Sequence, residues 1–511
     1  MFGGVGKTKI AAESLSLSAK ATTKAAMKTA PAAEAPSPDR TDWLLLVNAM
    51  LGNFVAGLST RIFMISLPTM AAGLGTDILG IAWALISYQL AGVSLSIVFG
   101  RLGDIYGRQK IYTLGFFIVT LSAFLCGVSQ NVLQLIVFRF LHGMGGAMSQ
   151  SASRALAMDA VPEGRAGKAQ AFMTMAFHSG FFLGPPLGGL IIDYLHWRAV
   201  FFLIFCFGVA GTALSVARLK TKPEAATYRG RASVDYTGAA LLIGLTLMLT
   251  LLLDQKAAEV IGIARKDVLL LAFGVVCWGF WSHESKSPSP IIHLALFKIR
   301  MFAASIVSLL TLSITRGLVS FLLPFYLQGV LGLSPSFMGV IFLAPPIFTL
   351  GFSALGGYMA DKLGPRIPTT IGVLASLAAV LIGAALRVDS HWLLPTAMLS
   401  LTGVGTAFFN TANQAAIIGS APKEHRGLAN GMVHTGFELG HMLGVSLGGL
   451  LLALAFEHYS GTPEAAPSAA NAPAFVKSLN TSYAAAVAIT LVALFTSLMR
   501  GSGKIRAAKE A

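Results

Sequence analysis

The sequence predicts an all-α polytopic membrane protein of fourteen transmembrane helices, arranged as six, two and six. Three observations predict this: a shortage of charge, apolar runs of spanning length, and a polar hairpin that occurs twice. The 511 residues are 55% hydrophobic and 12% charged, with mean hydropathy +0.72. Soluble globular chains carry about 25% charged residues. The apolar residues gather into runs of roughly 20, enough to cross a hydrocarbon core about 30 Å thick. The hairpin Gly100-Arg-Leu-Gly-Asp104-Ile-Tyr-Gly107-Arg108-Gln-Lys110 has a degenerate copy, Gly357-Tyr-Met-Ala-Asp361-Lys-Leu-Gly364-Pro-Arg366. Glycine, aspartate and glycine stand at the same offsets in both. A polar turn repeated between spans marks a duplicated bundle, and two bundles around a shared site form the architecture of a secondary transporter.

The elements follow in order. Residues 1–41, rich in Ala, Ser, Thr and Lys, read as a disordered cytosolic tail, with a transit peptide as the alternative. Within it, Gly3-Gly-Val-Gly-Lys-Thr8 imitates a phosphate loop but lacks the strand and βαβ pattern that such a loop needs. Residues 42–217 hold six spans centred near 55, 89, 120, 142, 180 and 207. Residues 218–298 form a linker with two more, near 245 and 273. Residues 299–500 hold the second six, near 312, 346, 377, 403, 440 and 489, and 501–511 form a cytosolic tail.

The net charge of +15 reports topology rather than a nucleic-acid partner. With the N-terminus in the cytosol, about 28 of the 37 Lys and Arg fall on the cytosolic side. Arg61, Arg139 and Arg316 lie within spans. The expected location is the plasma (inner) membrane, with both termini cytoplasmic. The three cysteines sit in apolar runs with neither disulfide nor metal spacing. No metal and no cofactor are expected, and the expected state is a monomer in the lipid bilayer.

Several motifs carry mechanics. In the hairpin, the glycines allow a tight turn, and Asp104 either latches onto a helix N-terminus in one access state or simply caps the loop. Arg108 and Lys110 anchor the cytosolic edge. In the fifth span, Gly180-Phe-Phe-Leu-Gly184-Pro185-Pro-Leu-Gly-Gly189 combines proline kinking with close helix approach. The glycines of the fourth and thirteenth spans, among them Gly143, Gly145, Gly440, Gly444 and Gly448, read as packing surfaces. Arg139, ahead of His142, either handles protons or holds structure. A mid-membrane arginine costs about 2.5–3.5 kcal/mol to insert and needs a partner or a wet cavity.

These motifs resemble the three signatures of the major facilitator superfamily: the hairpin, the Arg139…Gly143-Met-Gly145 stretch, and the Gly180–Gly189 segment, which is similar to its antiporter motif. The central pair with Asp235-Tyr-Thr-Gly238, Trp83…Tyr88, Pro324-Phe-Tyr-Leu-Gln328 and Trp197-Arg198 resembles the fourteen-span drug:proton antiporter branch. The resemblance, over roughly residues 43–500, implies the major facilitator fold and proton-driven export of amphiphilic small molecules. The chain departs from that branch at three places. Ser59 stands where an aspartate is common before Leu67-Pro68, His142 where glutamine is usual, and Ile105 where a basic residue often follows the hairpin aspartate.

Two further sets are candidates for the site. Arg61 and Arg316 each follow a threonine and precede a proline, at closely equivalent places in the first span of each half. Two guanidiniums near mid-membrane suit a carboxylate or phosphate on the substrate. The alternatives are pairing with a protein carboxylate or snorkelling to an interface. His434, Glu438 and His441 fall on one helix face, a pattern that suits proton coupling. Ion pairing of Glu438 with an arginine is the alternative there. His178, before the proline pair, is a weaker candidate. Protons or another coupling ion supply the drive, because no motor domain is present. Uptake of an organic anion is the rival within transport. A polytopic membrane enzyme is the rival outside it, and it lacks a catalytic constellation in the loops.

Overall fold

The computed structural model describes residues 41–162, 165–221, 236–253, 266–285, 294–422, 425–461 and 471–500. The expected terminal tails, the motif at Asp235, and most of the linkers around the central pair lie outside the described residues. Among the described residues the structure is helical throughout. In lipid every backbone amide must find its partner within its own segment, and only the helix does this span by span.

The first half contains α1 (Trp43–Leu74), α2 (Ile78–Tyr106), α3 (Arg108–Gly127), α4 (Val132–Asp159), α5 (Ala166–Tyr194) and α6 (Trp197–Thr221). The central pair is α7 (Tyr236–Leu253) and α8 (Lys266–Glu284). The second half contains α9 (Arg300–Gly329), α10 (Pro335–Ile341), α11 (Ala344–Leu363), α12 (Arg366–Ala384), α13 (Leu393–Ser420), α14 (Arg426–Ser460) and α15 (Ala472–Leu498). Helices α10 and α11 form one span interrupted near Phe342. Among the described residues, twelve helical segments are long and apolar enough to cross a membrane, six in each half, and α7 and α8 are not counted with them.

Side-chain oxygens start several helices where the sequence turns. Asp42 accepts from the Leu45 amide at 3.2 Å, Asp77 from Gly80 at 2.8 Å and Asn131 from Gln134 at 2.9 Å. The two hairpin glycines adopt the conformation that their recurrence requires: Gly107 has φ 105° and Gly364 φ 80°.

Both halves pack by one scheme. Helix α1 lies on α5 as α9 lies on α14, and α3 lies on α4 and α6 as α12 lies on α13 and α15. The register repeats as well. A Cβ on Gly180 would stand 2.1 Å from the Phe54 carbonyl oxygen, and one on Gly440 would stand 2.7 Å from that of Leu310. Gly188 meets Ile62 as Gly448 meets Leu318. Only bare backbone fits these crossings, which is why the glycines recur four residues apart.

The halves touch through α2 with α14, α5 with α10, and α1 with α9. These contacts cluster toward the end of the molecule opposite the hairpins. There Asp193 accepts from the Ser336 amide at 2.8 Å, Gln328 donates to Thr69 at 3.2 Å, and Gly189 lies under the Pro335 carbonyl. Toward the hairpin end, Gly92 of α2, Gly351 of α11 and Gly431 of α14 have no neighbouring atom within 4 Å of a built Cβ. The bundle is therefore closed at one end and splayed at the other.

Candidate functional site

The expected arginine pair is present and unneutralised. Arg61 on α1 approaches α5 because Gly184 has no side chain: a Cβ there would lie 3.0 Å from that of Arg61. Its guanidinium stacks 3.9 Å above the Phe181 ring, and Nη1 reaches Met64 Sδ at 3.6 Å. Arg316 on α9 donates from Nη1 to Asn410 Oδ1 at 3.0 Å and lies 5.7 Å from Phe409. Nε of Arg61, and Nε and Nη2 of Arg316, are buried without a partner. Among the described residues neither arginine pairs with a carboxylate. Arg316 is only 8% exposed, so it does not snorkel. The charges are near enough to repel each other.

The glycine register refines the expected equivalence. If Leu58 corresponds to Ile314 and Ile62 to Leu318, Arg316 matches Thr60 rather than Arg61. One residue turns a helix by about 100°. Arg61 accordingly faces α5, while Arg316 faces α13.

On α14 the three polar residues do share a face, but in three settings. His434 is exposed, Glu438 is half-buried and His441 is buried. Gln89 Nε2 of α2 donates to His441 Nδ1 at 2.7 Å, which places the ring proton on Nε2. The fields of Arg61 and Arg316 both reach this ring. Glu438 has no ion pair and no hydrogen bond among the described residues, so the expected alternative of pairing with an arginine is not what is seen. Its field reaches Tyr88, which is hydrogen-bonded to Thr60 beside Arg61. Thr60, Arg61, Tyr88, Gln89, Arg316, Glu438 and His441 therefore surround one central space. Gln89, Tyr88, Asn410 and Phe181 had no place in the sequence-based set, although a glutamine inside an apolar run was a signal for the first of them.

Arg139 sits elsewhere, inside the first bundle and fully buried. Phe63 and Tyr88 cover its two faces at 4.0 and 4.3 Å, and Nε donates to the Ala84 carbonyl at 3.3 Å. Both Nη atoms lack partners. Gly143 admits the Tyr88 backbone: a Cβ there would be 2.2 Å from its oxygen. His142 lies against Tyr88, and it shares a small pocket with Ser59, Gly146 and Ser149. Two of the three departures from the family pattern, Ser59 and His142, are thus neighbours in space.

At the hairpin end Gly100 lies 3.8 Å from Ser151 by its built Cβ, and Arg108 Nη1 pairs with Asp159 Oδ2 at 3.4 Å. The Asp104 side chain is outside the described residues, and so is the latch expected of it. Asp361 is exposed. Helix α5 runs unbroken through Pro185 and Pro186, and the Pro185 carbonyl meets Gly339 of α10. His178 of α5 is exposed and edges onto Phe177 and Phe181.

Comparison with known proteins places this geometry. The family model described as Major Facilitator Superfamily matches residues 49–313 and 301–499. The chain is 30% identical over 424 residues to the putative multidrug resistance protein MdtD of Cronobacter sakazakii, covering 82% of this chain and 88% of that protein. It is 28% identical over 407 residues to the riboflavin transporter RibZ of Clostridioides difficile, covering 79% and 87%. It is 29% identical over 415 residues to the tetracenomycin C resistance and export protein of Streptomyces glaucescens, covering 80% and 76%. Among solved structures, a peptide transporter with sulfate aligns at TM-score 0.66 and 17% identity, covering 92% and 99%. An inward-facing bacterial homolog of the lysosomal transporter Spinster aligns at 0.64 and 14%, covering 89% and 96%.

Proposed function

Because the chain belongs to the major facilitator superfamily, we propose that this small-molecule transporter exports amphiphilic compounds bearing an anionic group, coupled to protons through Glu438. The observation that carries this reading is the pair of guanidiniums, Arg61 and Arg316, left without a carboxylate in the central space. Two buried cations repel and lose hydration, and an anion between them restores both deficits. Arginine presents a planar fork to carboxylate or phosphate. Glu438, flanked along its face by His434 and His441, supplies the group that takes and gives the proton. Arg139, clamped between two rings, supports the geometry of Tyr88 instead of touching cargo.

The bias of Lys and Arg supports an inner-membrane protein with both termini cytosolic. The hairpin end then faces the cytosol and the closed end faces outward, so this is an inward-open state. Helices α7 and α8 complete a fourteen-span, six-two-six arrangement, divided at 42–217, 218–298 and 299–500. The carrier works as a monomer, the two halves forming the whole pathway. Asp104, Arg108, Asp361 and the paired hairpin glycines Gly100, Gly107 and Gly364 bias the cytosolic end. Gly184 and Pro185 set the contact of α5 with its neighbours.

A second reading, uptake of an organic anion, draws on the same arginines, since they hold an anion in either direction. Inverted membrane vesicles separate the two. With an imposed inside-acid gradient, export appears as accumulation of an amphiphile that carries an acid group, with the gradient partly discharged. Arg61→Gln and Arg316→Gln should each lower that accumulation about tenfold or more. Normal transport of the anion by both variants overturns the reading, and accumulation only under the reversed gradient favours uptake.

A further inference from the structure

The central space holds charges of both signs and keeps them apart. The fields of Arg61 and Arg316 reach His441, and Glu438 lies on the same helix face one turn toward the splayed end. Opposite charges in a shared low-dielectric space attract strongly, and long arginine side chains normally fold onto a nearby carboxylate. Here they do not. Arg61 is held over Phe181 and Arg316 by Asn410, while Glu438 remains without an ion pair among the described residues. Two partner groups are therefore wanting, a negative one for Arg61 and Arg316 and a positive one for Glu438.

Building on the proposed anion site, we infer that the cavity is made for a zwitterionic amphiphile, whose acid group sits between Arg61 and Arg316 and whose amine sits on Glu438. This reconciles the arginines with proton antiport. An anion alone binds more tightly when Glu438 gains a proton, so proton and cargo travel together. An amine on Glu438 competes with the proton, so the two exchange. Phe181 and Phe437, both half-buried, offer aromatic surface to the cargo's apolar body.

The pH response belongs to Glu438 among a defined set of neighbours. Arg61 comes from α1, Tyr88 from α2 and Arg316 from α9, with His434 and His441 on its own helix. Arg154 of α4 acts on His434. Helix α13 contributes no titratable residue, α7 only Tyr236, and those of α15, Lys477 and Tyr483, lie in its first half toward the closed end.

The test uses the full chain in lipid nanodiscs and three fluorescent probes. These are Nε-dansyl-L-lysine, its Nα-acetyl derivative with the acid alone, and its methyl ester with the amine alone. The zwitterion should bind about tenfold more tightly than either. Its affinity should fall as pH drops from about 8 to about 5, because protonation removes the Glu438 charge, while that of the acetyl form should not fall. Glu438→Gln should abolish both the preference for zwitterion over acetyl form and the pH response, and Glu438→Asp should restore part of each. Equal binding of zwitterion and acetyl form in the wild type overturns the amine subsite while leaving the anion site standing. Tightest binding of the ester, unaffected by Arg61→Gln and Arg316→Gln, overturns the anion site itself. Binding of none of the three overturns the proposed class.

Discussion

The α1–α5 crossing and the α9–α14 crossing have the same backbone and opposite chemistry. Both rest on three glycines spaced by four, and both bring one helix's carbonyls against the other's bare backbone. Two residues before the first glycine stands His178 in one half and Glu438 in the other, and one residue after it stands Phe181 or His441. The crossing is shared by the two halves, and the positions flanking it carry different side chains. The lesson is that a transporter can change its cargo and its coupling without disturbing the hinge. Packing tolerates almost nothing at the glycines and almost anything beside them.

The comparison can be broken most severely at the glycines. Gly180→Leu and Gly440→Leu each force a side chain onto a carbonyl 2.1 and 2.7 Å from the Cβ. Each should cost about 3 kcal/mol or more and remove monodisperse protein in fluorescence-detected size-exclusion chromatography. Equal losses in the two halves would confirm that the crossings are equivalent.

Gly189→Leu acts between halves instead of within one, because its Cβ would lie 2.3 Å from the Pro335 oxygen. Each bundle should fold, but the closed end should part. A cysteine introduced at Thr69 should then react with an impermeant maleimide several-fold faster than in the parent. Unchanged labelling with intact transport would show that this contact does not seal the path.

A gentler test exchanges the flanking chemistry. Glu438→Gln should leave transport insensitive to the proton gradient, measured by quenching of a vesicle-entrapped pH dye. His178→Gln should change the same signal by less than about twofold, since an exposed ring has water as its alternative partner. Equal losses from both would place the proton path on both halves. The smallest effect is expected at Arg108 and Asp159, whose side chains are 37% and 52% exposed. Asp159→Asn should cost under about 1 kcal/mol, and high salt should erase the difference in thermal stability.

Much of the fold was legible because lipid imposes a simple length rule. Each span centre expected from apolar runs falls within a helix, including those near 245 and 273. The hairpin repeat anticipated the positive-φ turns at Gly107 and Gly364. That Arg61 and Arg316 lie within helices of the two bundles was legible too, but their facing was not. A helix rotates too far per residue for an uncertain alignment to fix direction, and the glycine contacts place the two arginines one position out of step. Gln89 as the partner of His441 was invisible because the bond joins different halves. Arg139 was read as either proton carrier or brace, and the rings of Phe63 and Tyr88 that clamp it come from two other helices. Sequence spacing reports neighbours along one helix face, whereas these contacts are made across helices.

Helix α7 lies against α2 and α14 and is backed by α8. It therefore shields one of the two flanks along which the halves part. The opposite flank, between α5 and the α10–α11 span, has no such backing helix among the described residues. The two seams of the assembly are therefore unequal, one sheltered from lipid by an extra pair of helices and the other facing it bare.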